Sequence, residues 1–306
     1  MSGAGSNESG TMSCCASCGV AESDDIKLKK CNGCHLVRYC GVECQKAHRK
    51  QHKRDCKKRA AELREELLFK QPESSHVGDC PICCLPLPLD MAKSGMHFCC
   101  SKVICRGCDY ANSMREMELR LRRSCPFCRE PMLKAKEEGA KQNMRLKRVE
   151  ANDPVALSHE GGEHHSKGNY TRAFDYYSRA AELGDAQAHC NLAVLYHNGE
   201  GVKKNGGKET HHLEEAAIGG HPVARRLLGC KEYLVNRNIE RAVKHWIIAA
   251  TQGEDESIQE LMKAFKNGFV GKDVLAATLR AHKAAVDATK SPQREAAEKS
   301  LSNSRK

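Results

Sequence analysis

The chain has 306 residues, with 50 lysines and arginines against 39 acidic residues and a formal net charge of +11. That length exceeds one small domain and fits two or three. Nineteen cysteines would build a disulfide scaffold in a secreted protein, but the opening MSGAGSNESGTMS has no apolar run to act as a signal peptide, and no stretch is long and apolar enough to span a membrane. The expectation is a protein of the cytoplasm or nucleus whose reduced cysteines hold metal.

The cysteine distribution agrees. Seventeen lie before residue 129, and only Cys190 and Cys230 follow, which read as ordinary buried thiols. Residues 1–13 are rich in Gly and Ser and read as a disordered tail. Next come Cys15-x2-Cys18, a gap of twelve, Cys31-x2-Cys34, and then YCGVECQKAHRKQHKRDC, which offers Cys40, Cys44, His52 and Cys56. Positions 44, 48, 52 and 56 step by four and stack on one helix face, so a helix can present His52 and Cys56 to one ion. The pattern from 14 to 56 resembles the MYND zinc finger, including Tyr39 before the fifth ligand. That resemblance implies two alternating sites, Cys15, Cys18, Cys40 and Cys44 in one and Cys31, Cys34, His52 and Cys56 in the other. Cys14 and His48 are surplus. It also implies a structural zinc with no open coordination position, and a module that binds short, often proline-containing peptides.

From Lys46 to Arg59, eight of fourteen residues are Lys or Arg against one Asp. Such density can meet phosphates, but no aromatic residues interleave with it to stack on bases, so a solvated helix face is the better reading and nucleic acid is not the expected partner. Residues 57–79 read as a helical linker, AAELREELLFK stopping before Pro72, with a short polar connector after it.

The stretch from 80 to 131 runs CPIC, fifteen residues, CCSKVICRGC, sixteen residues, CPFC. Paired Cys-x2-Cys turns at both ends with four thiols between them have the spacing of eight ligands for two tetrahedral ions. The order resembles an all-cysteine RING finger. Its cross-brace implies that Cys80, Cys83, Cys105 and Cys108 share one zinc and Cys99, Cys100, Cys125 and Cys128 the other. In that family a residue normally separates the third and fourth ligands, and Lys102 cannot ligate, so either adjacent Cys99 and Cys100 both serve or His97 replaces one. Cys84 is spare and reads as a small buried thiol. The resemblance further places Ile82, Pro126 and Arg129 where RING-type ubiquitin ligases contact the conjugating enzyme, and a planar five-donor guanidinium suits a double contact to enzyme and ubiquitin. Against this, Ile82 and Pro126 can simply pack the turns.

Residues 132–152 form a charged linker that reads as helix interrupted at Gly139. In the second half RAAELGDAQA at 179–188 recurs as EAAIGGHPVA, IAATQGEDES and KAAVDATKSP, placing paired alanines at 180, 216, 249 and 284. Steps of this size are one helix-turn-helix unit each. LAVLYHNGEGV at 192–202 resembles the Sel1-like repeat, which implies that Leu192, Leu195 and Tyr196 pack inward, Gly199 and Gly201 turn the chain, and Ala216, Ala217 and Gly220 close the unit. Residues 153–290 are therefore expected to form a four-unit solenoid. The adjacent histidine pairs at 164–165 and 211–212 read as surface, Trp246 as packed between helices, and 291–306 as a polar tail.

The fold class expected is thus two small zinc-stabilised cross-brace modules followed by an all-α solenoid of Sel1/TPR-like helix pairs, carrying about four structural Zn2+ ions. The order of MYND finger, RING-like finger and Sel1-like array resembles that of a family of algal proteins. No nucleotide-binding loop, activated nucleophile or open metal site is present. The functional readings are protein interaction through the MYND finger and repeats, with the RING-like finger acting as a ubiquitin ligase, or a non-enzymatic scaffold or corepressor-type adaptor; binding of nucleic acid through 46–59 ranks last. Chelation is expected to unfold 15–128 and leave the helical half standing.

Overall fold

A computed structural model describes residues 14–132 and 138–303. The tail 1–13, five residues of the charged linker and the last three residues lie outside the described part. The chain divides into two compact units, 1–70 and 71–306.

The first unit is a two-stranded antiparallel ribbon, β1 (Lys29–Lys30) and β2 (Arg38–Tyr39), followed by the long helix α1 (Val42–Leu68). Its core is made largely of cysteines: Cys15, Cys31, Cys34, Leu28 and Tyr39 are buried together. So few apolar side chains cannot hold a module of this size, and a crosslink is required. Along α1 only His52 and Leu68 are buried, so the basic face read from the sequence is solvated.

The second unit begins with the finger. A hairpin of β3 (Ser94–His97) and β4 (Lys102–Cys105) leads into α2 (Arg106–Glu118), and the side chain of Cys105 caps that helix by accepting from the Cys108 N–H. Next come α3 (Glu138–Glu150) and seven antiparallel helices: α4 (Pro154–Ser166), α5 (Tyr170–Glu182), α6 (Ala186–Asn198), α7 (Gly206–Ile218), α8 (Pro222–Leu234), α9 (Ile239–Thr251) and α10 (Asp255–Lys266). Two more, α11 (Lys272–Ala288) and α12 (Pro292–Asn303), complete the unit.

The alanine pairs at 180, 216 and 249 are buried where consecutive helices cross, because a methyl group lets two backbones approach. Of the pair at 284–285, Ala284 is exposed and Ala285 half-buried, and most of α11 is exposed, with Thr278 alone buried. Glycines close the turns. Gly184, Gly199, Gly201, Gly220 and Gly253 all take positive φ, a region costly for side chains with a Cβ. Trp246 lies 2% exposed against Gly229, whose Cβ position would fall 2.5 Å from the indole nitrogen.

Three readings change. The polar tail beyond Pro292 is helical from 292 to 303 and packs on α2, with Arg294 and Ala297 buried. The linker helix α3 packs on α4 and contributes Val149 to the first repeat core. Of the histidine pairs, His165 and His211 are the more exposed, while His164 stacks on Tyr176 and His212 on Tyr196, since adjacent residues on a helix point to different sides.

Candidate metal centres

All nineteen cysteines are free thiols. Four sets of ligand atoms converge, each within 4.8 Å: Cys15, Cys18, Cys40 and Cys44; Cys31, Cys34, His52 and Cys56; Cys80, Cys83, Cys105 and Cys108; Cys99, Cys100, Cys125 and Cys128. Neighbouring sulfurs are 3.6 Å apart for Cys18 and Cys40, 3.7 Å for Cys31 and Cys56, 3.8 Å for Cys83 and Cys105, and 3.9 Å for Cys100 and Cys125. These are far from bonded sulfur. A tetrahedral zinc with ligands at ~2.3 Å places its sulfurs roughly 3.8 Å apart, so the spacing fits the ion.

Electrostatics lead to the same demand for a cation. Backbone N–H groups of Cys18 and Cys40 pull the Cys15 thiol down to about 6, while the Cys44 and Cys18 side chains beside Cys40 push that thiol up to about 12. In the second set burial opposes ionisation of Cys31, yet the amides of Cys34 and Gly33 bring it down to about 6; burial, and then Cys31 and Cys34 themselves, raise Cys56 to about 11. Burial likewise works against Cys80, and the amides of Cys83 and Cys105 outweigh it, bringing the thiol to about 7, whereas burial and the neighbouring Cys105 hold Cys108 far above the ordinary thiol range. Four thiolates cannot share one small volume without a positive charge among them, and a divalent ion supplies it. The four sites are each able to hold zinc.

One local device recurs in the turns that present these ligands. The residue after four of the five Cys-x2-Cys pairs returns its N–H to the carbonyl of the first cysteine, Gly19 to Cys15 at 2.9 Å, His35 to Cys31 at 2.9 Å, Cys84 to Cys80 at 2.9 Å and Arg129 to Cys125 at 3.0 Å, while Cys105 and Cys108 open a helix instead. All four have positive φ. The turn aims both sulfurs to one side and the following side chain to the other. Cys84 is for this reason exposed, correcting the expectation of a buried thiol; only Gly19 signals the conformation in its residue type.

The surplus residues are also placed. Cys14 is exposed and outside every set. His48 stacks on His52 at 5.7 Å and its Nδ1 lies 3.1 Å from the Tyr39 hydroxyl. His97 lies 3.6 Å from Asp109, and Cys99 and Cys100 both enter the fourth set. Ile82 is 41% exposed, Pro126 is buried, and the exposed Arg129 donates from Nη1 to Asn112 Oδ1 at 3.0 Å. Beside α1 a cavity of about 440 Å3 takes in the second metal site, with Cys31, His52 and Cys56 in its lining, and is walled outside it by Tyr39, Gln45, Lys46, Arg49, Lys53 and Lys57.

The MYND finger family matches residues 15–56. The Sel1 repeat matches three times, at 155–185, 186–221 and 223–254, which are α4 with α5, α6 with α7 and α8 with α9. The helix pair α10 and α11, read from the sequence as a fourth unit, lies outside these matches, as does 80–131. The chain has no match among curated proteins. Among solved structures it is similar to a Sel1 repeat protein from Oxalobacter formigenes, 28% identical over 47% of this chain and 64% of that one, with a TM-score of 0.42. It is also similar to c5321, a protective antigen of uropathogenic Escherichia coli strains with an SLR fold, 20% identical over 53% of this chain and 36% of that one, with a TM-score of 0.38. The chain thus spans less than two thirds of either protein. Residues 15–56 are a MYND finger and residues 155–254 a run of Sel1 repeats, and between them lies a second cysteine module whose two ligand sets could each hold zinc.

Proposed function

We propose that the finger at 80–131 recruits a ubiquitin-conjugating enzyme and that the MYND finger and repeats bring the client protein. The observation that carries this reading is the pairing of a complete cross-brace with Ile82 standing 41% exposed in the first turn. A buried isoleucine there would have meant packing alone. Arg129 follows the last cysteine and is exposed, with its guanidinium steadied by Asn112. Nothing in this arrangement bonds covalently to ubiquitin: the finger orients another protein's thioester for attack. Pro126, by contrast, is buried and acts by packing the turn.

The clients expected at the MYND groove are acidic peptides. Lys46, Arg49, Lys53 and Lys57 stand on its wall with no carboxylate among the lining residues, so complementary charge favours encounter and register. The test of the ligase reading is discharge of ubiquitin from charged conjugating enzymes by zinc-loaded protein. Acceleration by wild type, lost at least tenfold in Ile82→Ala and Arg129→Ala, is the expected result. No acceleration across a panel of enzymes would leave the second reading, a non-enzymatic scaffold, which the burial of Pro126 favours.

A further inference from the structure

The finger is held from both ends of the helical array. From α3, Arg148 donates to the Cys99 carbonyl at 2.9 Å, and Arg145 lies over the Phe98 ring while paired with Glu160 at 2.6 Å. From α12, Arg294 is 6% exposed. Its Nη1 donates to the carbonyls of Pro86 and Thr289, both at 2.6 Å, and its Nη2 donates to the Leu85 carbonyl at 3.2 Å and to Cys83 Sγ at 3.4 Å. The finger makes room for this. A Cβ at Gly107 would lie 2.8 Å from both the Arg294 Cγ and its backbone nitrogen.

We propose that Arg294 is an outer-sphere partner of the zinc site formed by Cys80, Cys83, Cys105 and Cys108, and that α12 is a clasp that stays closed on the finger only while that site holds metal. A zinc-bound thiolate carries negative charge, and a buried guanidinium donating to it stabilises the bound ion and is neutralised by it. The Leu85 and Pro86 carbonyls belong to the loop that the Cys80–Cys83 turn fixes: the Cys80 N–H donates to the Leu85 carbonyl at 3.0 Å. When the ion leaves, the turn loosens, the Leu85 and Pro86 carbonyls and the thiolate lose their places, and the guanidinium is left buried with the Thr289 carbonyl as its one remaining acceptor of the four, an unfavourable state. The helix must then release. Docking of the last helix is in this way linked to metal occupancy in a module more than two hundred positions earlier in the chain, as each of the finger contacts of Arg294 spans 208 to 211 residues.

The inference rests on the zinc assignment for this site, and the experiment separates the two. Full-length, zinc-loaded wild type, Arg294→Ala, Arg294→Lys and Ala297→Glu are treated with iodoacetamide, and alkylation is followed cysteine by cysteine, with zinc content measured on the same samples. Loss of the guanidinium contact should raise modification of Cys83 about tenfold, the low end of outer-sphere effects. The MYND cysteines and the Cys99, Cys100, Cys125 and Cys128 set should keep their rates. Arg294→Lys should show the same selectivity, because an ammonium cannot reach the thiolate and the carbonyls together. Ala297→Glu should reproduce it by undocking the helix with Arg294 intact. Chelation of wild type should raise amide exchange across 292–303. An unchanged Cys83 rate, an equal rise at every cysteine, or a helix that stays protected after zinc is removed would each overturn the proposal, and wild type without zinc would overturn the metal assignment itself.

Discussion

Cys84, His35 and Arg129 carry a backbone conformation that their side chains disfavour, because the tight turn at each of their Cys-x2-Cys pairs closes on a left-handed residue. A Cβ in that region costs ~1–2 kcal/mol, partly offset by the entropy lost in ordering a glycine. Cys84→Gly is therefore expected to raise the thermal stability of the zinc-loaded protein by up to about 1 kcal/mol and to leave its zinc content unchanged. Loss of one zinc would show that Cys84 ligates. His76 and His221 stack at 3.9 Å, and burial lowers them to about 4 and about 3. Above pH 6.5 both are neutral whether the chain is folded or unfolded, so their full contribution is present. Between pH 6.5 and about 4 the unfolded chain takes up protons that the folded chain refuses, and stability falls by on the order of 3 kcal/mol for each ring. Ring-proton NMR titration should place both midpoints below pH 5; midpoints near 6.5 would show that the rings are not buried.

At the scale of elements, the turn glycines of the repeats differ in what surrounds them. Gly201 has φ +68 and a Cβ there would lie 2.6 Å from the Tyr170 carbonyl carbon, whereas Gly184 has φ +85 and open space. Gly201→Ala should cost about 2–4 kcal/mol in urea unfolding and Gly184→Ala about 1 kcal/mol, the difference being the collision of backbone atoms that cannot move aside. Equal costs would mean that only φ matters. On α1, charge reversal at Lys53 and Lys57 should weaken an acidic peptide at the MYND groove at least tenfold and flatten its salt dependence, as read by calorimetry; unchanged affinity would move the client site elsewhere. The ligand sets, the glycine turns and the alanine crossings were legible in the sequence because each rests on a residue type with few uses at that spacing. Helix α12, and the docking of α3 on its neighbours, were not. Arg145, Arg148, Arg294 and Ala297 sit in polar stretches, and an arginine reads as solvent-facing unless its partners are known; here those partners are carbonyls and a sulfur far away in the chain.

At the scale of the molecule, the second unit is not a finger followed by independent repeats. The connector before the finger lies against the array: Thr251 donates to Gln71, the Gln252 amide to the Ser74 carbonyl, and the His76 N–H to the Gly220 carbonyl at 3.0 Å. Chelation is thus expected to disturb α12 and this connector as well as the fingers, while the repeats from α5 to α9, whose cores hold no ligand cysteine, keep their protection. The central claim is that four metal ions build residues 15–128. Native mass spectrometry of the intact chain tests it most directly, with wild type beside Cys18→Ser, Cys34→Ser, Cys83→Ser and Cys128→Ser. The account predicts four zinc ions in wild type and three in each variant. Fewer than four in a folded wild type, or a substitution that leaves the count unchanged, would contradict it.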